Sequence, residues 1–158
     1  MKTAIIFYSY DGNCTFAARH IGKLLNADIV QVQTVDEKKR RGFLKILWGG
    51  MQVVLKKLPA LKPIDFDAAS YDLIVLGTPV WASSPAPAMK AFLAQTKISG
   101  KKLALFMCHA GGMGDAMDKF KSLLTDNTVV SEVDFKDPLK NTENAIQQIE
   151  TWVKNLTK

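Results

Sequence analysis

The chain has 158 residues, 47% hydrophobic and 23% charged, with a formal net charge of +6; this fits one globular domain that buries a real core. No charged-then-apolar leader opens it, and no apolar run approaches the roughly 18 residues that cross a bilayer, so the expected location is cytoplasmic. Cys14 and Cys108 have neither zinc-site nor redox-dithiol spacing, which argues against a structural disulfide or a metal centre.

In chain order, AIIFYS (4–9) is continuously apolar, as a strand covered on both faces must be. The loop SYDGNCT follows, then a helical stripe of Ala17, Ile21, Leu24 and Leu25. VQVQTV (30–35) alternates apolar and polar residues, the pattern of an edge strand with one face partly wet. After a basic segment, LIVLGTP (73–79) is a second interior strand; its loop TPVWASSPAP leads into a helix carrying Met89, Phe92 and Leu93. LALFMC (103–108) is a third interior strand, followed by HAGGMGD and a helix with Phe120, Leu123 and Leu124. VVSEVDF (129–135) alternates again as the other edge. A last helix places Ile146, Ile149, Trp152, Val153 and Leu156 on one side, with Trp152 in the core.

Five alternations of strand and helix, with the apolar strands inside and right-handed crossovers, predict a parallel sheet in the order 2-1-3-4-5. The fold class is α/β, a doubly wound three-layer sandwich over residues 1–158. Ligands of such sheets sit beyond the carboxyl ends of the strands beside the switch point, here between strands 1 and 3. The loops after strands 1, 3 and 4 converge on that crevice.

The charge excess is local. Residues 36–62 hold 8 of the 21 Lys and Arg and 2 of the 15 Asp and Glu, leaving 13 of each sign elsewhere. A polyanion-binding role such as wrapping nucleic acid is therefore not suggested. Within this basic amphipathic insert, Leu44, Leu47, Trp48, Met51, Val54, Leu55 and Leu58 recur at helical spacing over 42–58, opposite Lys45, Gln52 and Lys56. The pattern fits the second helix of the fold with an enlarged core. It equally fits a helix that borders the crevice, docks or dimerises with a partner, or meets a membrane surface drawn by KKRR.

The first loop lacks the second glycine and the lysine of a triphosphate-binding P-loop, and it lacks the G-x-G-x-x-G of a dinucleotide fold. What remains suits a monophosphate: the hydroxyls of Ser9 and Thr15, a turn at Gly12 and Asn13, and a helix N-terminus whose NH groups and dipole favour an anion. A tyrosine-phosphatase reading fails because Arg19 follows Cys14 after four residues where C-x5-R needs five. A receiver-domain reading fails because Thr78 and Pro79 stand where a phosphoacceptor aspartate should close strand 3.

From FYSYDGNCTFAA through DLIVLGTPVWASSPAPAMKAFL to HAGGMG, the chain resembles the flavodoxin family, whose members bind FMN through a T-G-N-T loop after strand 1. Asp11 and Cys14 stand where that family commonly has threonines. The resemblance implies FMN as cofactor, with Ser9, Tyr10, Asp11, Gly12, Asn13, Cys14 and Thr15 around its phosphate. Asp11 is then expected to act as a turn residue, its carboxylate pointing outward or bonded to nearby NH groups. Thr78, Pro79, Val80, Trp81 and Ala82 form one flank of the flavin, with Trp81 stacking on the ring. His109, Ala110, Gly111, Gly112 and Met113 lie against its pyrimidine end, the glycines allowing close backbone approach. His109 reads either as a general acid or as a hydrogen-bonding turn residue.

Two functions follow from the resemblance. One is an electron carrier between a reductase and redox protein partners. The other is an FMN-dependent NAD(P)H:quinone or nitro-group oxidoreductase acting on small quinone-like acceptors. A third reading, an apo binding module, stands outside redox chemistry. The basic insert, unlike the acidic surface of familiar flavodoxins, predicts acidic partners, salt-weakened docking and a less negative flavin potential.

Overall fold

The computed structural model describes residues 1–36 and 58–158. Of the helix read over 42–58, residues 42–57 lie outside the described residues, as does most of the basic insert; Leu58, expected on its apolar stripe, is exposed and in no helix.

Five strands form one sheet in the order β2-β1-β3-β4-β5: β1 Thr3–Tyr8, β2 Asp28–Val32, β3 Leu73–Pro79, β4 Lys102–His109 and β5 Thr128–Lys136. All neighbouring pairs are parallel. β1 and β3 are buried along their whole length, as their unbroken apolar sequences require. β5 alternates exposed and half-buried residues at one edge. The other edge strand starts earlier and is shorter than the alternating run 30–35 implies. It ends at Val32, and Thr34 instead makes an antiparallel bridge to Leu61.

Four helices of the described chain cover the sheet: α1 Asn13–Leu25, α2 Pro87–Gln95, α3 Ala116–Ser122 and α4 Thr142–Leu156. One core layer joins Ala17 and Ile21 of α1 to Ile149, Trp152 and Val153 of α4 against Ile5, Val75 and Phe106. The other joins Met89 and Phe92 of α2 to Met117 and Phe120 of α3 against Ile6, Leu76 and Leu105. Trp152 lies in the first layer, its indole N–H donating to Ser131 Oγ at 2.8 Å.

On α1 and beside α3, two leucines depart from their predicted stripes. Leu24 is exposed because the buried face of α1 runs through Ala18 and Gly22 instead, where a Cβ at position 22 would lie 2.6 Å from the Ile29 Cδ1. Leu123 is exposed because α3 ends at Ser122, before it. At the carboxyl end of β3, buried Thr78 Oγ1 accepts from the Ala86 N–H at 3.0 Å and draws the start of α2 onto the strand. Pro87 at the first helical turn needs no such partner, since it lacks the N–H.

Candidate functional site

The first loop turns on Gly12, whose φ of 97° is left-handed and which caps α1 with no side-chain hydrogen bond. No acidic residue occupies the first turn of α1, where the dipole's positive end favours an anion; the nearest carboxylate in sequence is that of Asp11, just before Gly12. Ser9 Oγ accepts from the Thr15 N–H at 3.2 Å and folds the loop back over β1. Asp11 Oδ1 accepts from the Asn13 N–H at 3.3 Å and from its Nδ2 at 3.1 Å, the geometry of an Asx turn. Asn13 Oδ1 in turn accepts from the Leu139 N–H at 3.1 Å. The loop after β5, which the sequence reading did not include, thus braces the cradle.

The second loop is a small hairpin. Val80 bridges Pro85, and the Trp81 N–H donates to Ser84 O at 2.9 Å. Ala82 and Ser83 both have positive φ, 47° and 51°, which makes a type I′ turn without a glycine. The Trp81 indole stands edge-on to Tyr8 and Tyr10, with ring centroids 5.9 and 5.6 Å away and planes at 84° and 80°. These near-perpendicular contacts fix the plane of the indole. Tyr8 was absent from the predicted set; its place as the last residue of β1, facing the switch point, was the available signal. A cavity of about 160 Å³ opens beside Trp81, lined by Tyr8, Thr34, Asp36, Pro59, Ala60 and Ala88.

The third loop starts at His109 and is tied to both neighbours. The Val80 N–H donates to Cys108 O at 2.9 Å, and the Asp137 N–H to His109 O at 2.8 Å. Gly111 and Gly112 are exposed, and a Cβ at either would meet nothing within 4 Å. Ala110 is exposed and Met113 half-buried against the α2–α3 core layer. His109 Nε2 lies 2.9 Å from Asp134 Oδ2. From α3, Lys119 Nζ donates to Ser83 O at 2.9 Å and pairs with Asp115 at the same distance. Leu139, Asp134 and Lys119 support the site from elements that carried no sequence signal for it.

Cys14 and Cys108, remote in sequence, meet beneath the first loop, both buried and both free thiols. Burial first, and the hydrogen bond to Cys108 second, push the Cys14 thiol well above its ordinary range. It stays protonated and adds no negative charge to the cradle. His20 of α1 is half-buried, and its Nδ1 bonds Phe16 O at 2.9 Å.

All three predicted loops therefore project from the same carboxyl edge of the sheet. A helix N-terminus that starts at Gly12 beside Ser9 and Thr15 suits a phosphate, a fixed tryptophan suits a planar ring, and an open glycine loop offers backbone to the ring's polar edge. The residues fit FMN. Fold and site together define a flavodoxin-like flavoprotein with FMN as its cofactor. The chain belongs to the NADPH-dependent FMN reductase family, whose model matches residues 1–135 and so takes in all three loops.

Solved structures agree in fold. The chain is similar to the flavoprotein of Lactobacillus acidophilus NCFM in complex with FMN, at 24% identity over 89% of this chain and 97% of that one, with a TM-score of 0.74. A putative flavoprotein from Bacteroides eggerthii DSM 20697 is 16% identical over 99% and 98%, with a TM-score of 0.78. Two-electron reduced Megasphaera elsdenii flavodoxin is 24% identical over 96% and 98%, with a TM-score of 0.61. No curated protein matches the sequence. The resemblance to flavodoxins thus holds for the fold, while the family that the sequence matches is that of the reductases. No helix among the described residues is long and apolar enough to cross a membrane.

Proposed function

We propose that this protein is an FMN-dependent oxidoreductase that oxidises NADPH directly and passes the electron pair to a small acceptor of the quinone or nitro class. The observation that carries the reading is the reductase-family match across residues 1–135.

In this reading the first turn of α1, with Ser9 and Thr15, anchors the phosphate. Trp81, held edge-on by Tyr8 and Tyr10, covers one face of the ring and excludes water from it. The glycine loop 110–112 donates backbone hydrogen bonds to the ring's polar edge. Bound FMN supplies the two-electron redox chemistry. The partners are NADPH and the acceptor; an acidic protein partner at the basic insert belongs to the carrier reading.

The test is the visible spectrum of the FMN-loaded protein under anaerobic conditions, with NADPH and no added reductase. Bleaching within seconds to minutes is expected. A flavin that stays yellow would move the protein to the carrier reading.

A further inference from the structure

The loop after β5 touches two of the three site loops. At one end the Asp137 N–H donates to His109 O at 2.8 Å, at the root of the glycine loop. At the other end the Leu139 N–H donates to Asn13 Oδ1 at 3.1 Å. The Leu139 side chain also lies over Gly12, where a Cβ would sit 3.3 Å from its Cδ1. Residues 137–139 therefore reach from the phosphate cradle to the loop that fits the ring's polar edge.

This strap is stiff. Asp137 has a left-handed φ of 41°, uncommon for a residue with a side chain, and its carbonyl accepts from the Lys140 N–H at 2.8 Å and the Asn141 N–H at 3.2 Å. The Lys140 bond closes a turn whose second position is the buried Pro138, where the pyrrolidine ring presets φ. Asn13 is equally fixed at the cradle end. Its Oδ1 takes an N–H while its Nδ2 gives a hydrogen to the Asp11 carboxylate at 3.1 Å, so only one orientation of the amide satisfies both. The bonds that shape the cradle locally, from the Thr15 N–H to Ser9 Oγ and from the Asn13 N–H to Asp11 Oδ1, do not use the Asn13 side-chain oxygen.

We propose that Asn13 is a positioning residue which, through the strap 137–139, holds the phosphate cradle and the glycine loop at the one separation that FMN spans. FMN is riboflavin and a phosphate joined, and the affinity gained by joining two ligands depends on how well the two subsites are spaced. The Asn13 side chain then strengthens FMN binding without strengthening the binding of either half alone. The inference uses the FMN site and is independent of the NADPH-oxidising reading, since every measurement that tests it is of binding.

The test takes the cofactor-free full chain and measures three dissociation constants: FMN and riboflavin by flavin fluorescence in phosphate-free buffer, and inorganic phosphate by amide NMR. The product of the riboflavin and phosphate constants, divided by the FMN constant, gives the gain from joining. In Asn13→Ala this ratio should fall about fivefold or more, the equivalent of one net hydrogen bond. A direct phosphate ligand would weaken FMN and phosphate by the same factor, so a ratio that stays at the wild-type value would overturn the proposal.

Pro138→Ala loosens the strap while changing no cradle residue and removing none of the hydrogen bonds named above. It should lower the same ratio about threefold, because the turn loses its preset φ. A wild-type ratio in a folded Pro138→Ala protein would confine the Asn13 effect to the cradle and overturn the coupling to the glycine loop.

Discussion

Gly114 rests against Ser83: at position 114, where φ is +53°, a Cβ would sit 2.9 Å from the Ser83 Cβ. This contact, with the Lys119–Ser83 hydrogen bond, locks the glycine loop to the tryptophan hairpin, so the two flanks of the ring site move as one body. Gly114→Ala adds a left-handed strain of about 1–2 kcal/mol to the clash. The expected outcome is a lower Tm and weaker FMN binding in the same variant, by calorimetry and fluorescence titration. Normal affinity with a lower Tm would separate the two loops functionally.

Ala82 adopts a left-handed conformation that glycine takes without cost. Ala82→Gly relieves strain in the folded state while loosening the unfolded chain, for a net gain of about 0.5–1 kcal/mol. Ala82→Val should lose more than that. Urea midpoints at constant slope measure both, and a destabilising glycine variant would mean that the turn is not strained.

Gly77 pairs in register with Phe106, and a Cβ at position 77 would overlap the Phe106 ring. Gly77→Ala should destabilise by about 1–3 kcal/mol, the usual cost of overpacking a core. Adding Phe106→Leu should recover part of this. Additive losses in the double-mutant cycle would show that the ring is not the obstacle.

The Asp11 carboxylate is folded onto the Asn13 N–H, so it serves the turn. Asp11→Thr removes that acceptor and should leave FMN affinity unchanged or weaken it by up to about 1.5 kcal/mol, the value of one such bond. Tighter binding would mean that the carboxylate opposes the phosphate.

Burial raises the Cys14 thiol above its unfolded value, so the folded chain keeps a proton that the unfolded chain sheds. The contribution is fully present below about pH 8.5, the ordinary thiol value, and is lost as pH rises above it. Stability should fall with pH in that window, and Cys14→Ala should flatten the slope. Alkylation of native protein at neutral pH should be slow and become fast in denaturant.

Much of this molecule is legible in one dimension. Three unbroken apolar strands and two alternating ones fix the order of the sheet, because a strand covered on both faces can spare no polar residue and an edge strand can. Order and handedness then bring SYDGNCT, TPVWASSPAP and HAGGMGD to one edge without any further information. Residue type also marks Gly12, Trp81 and the glycines after His109 as unusual, since loops rarely carry such residues without a backbone or ring to accommodate.

Contacts between remote segments are decided only in three dimensions. Nothing in a sequence says that Asp134, on an edge strand that reads as ordinary alternation, turns toward His109, or that Leu139 closes on Asn13. Cys14 and Cys108 read as unrelated because spacing rules describe local ligand sets, whereas a parallel sheet joins the start of one helix to the end of a strand far along the chain. The predicted stripes failed at Leu24 and Leu123 for a similar reason. A helix turns the face that its neighbours leave room for, and it stops where its last turn loses partners. Periodicity proposes a face, but packing against the sheet chooses it.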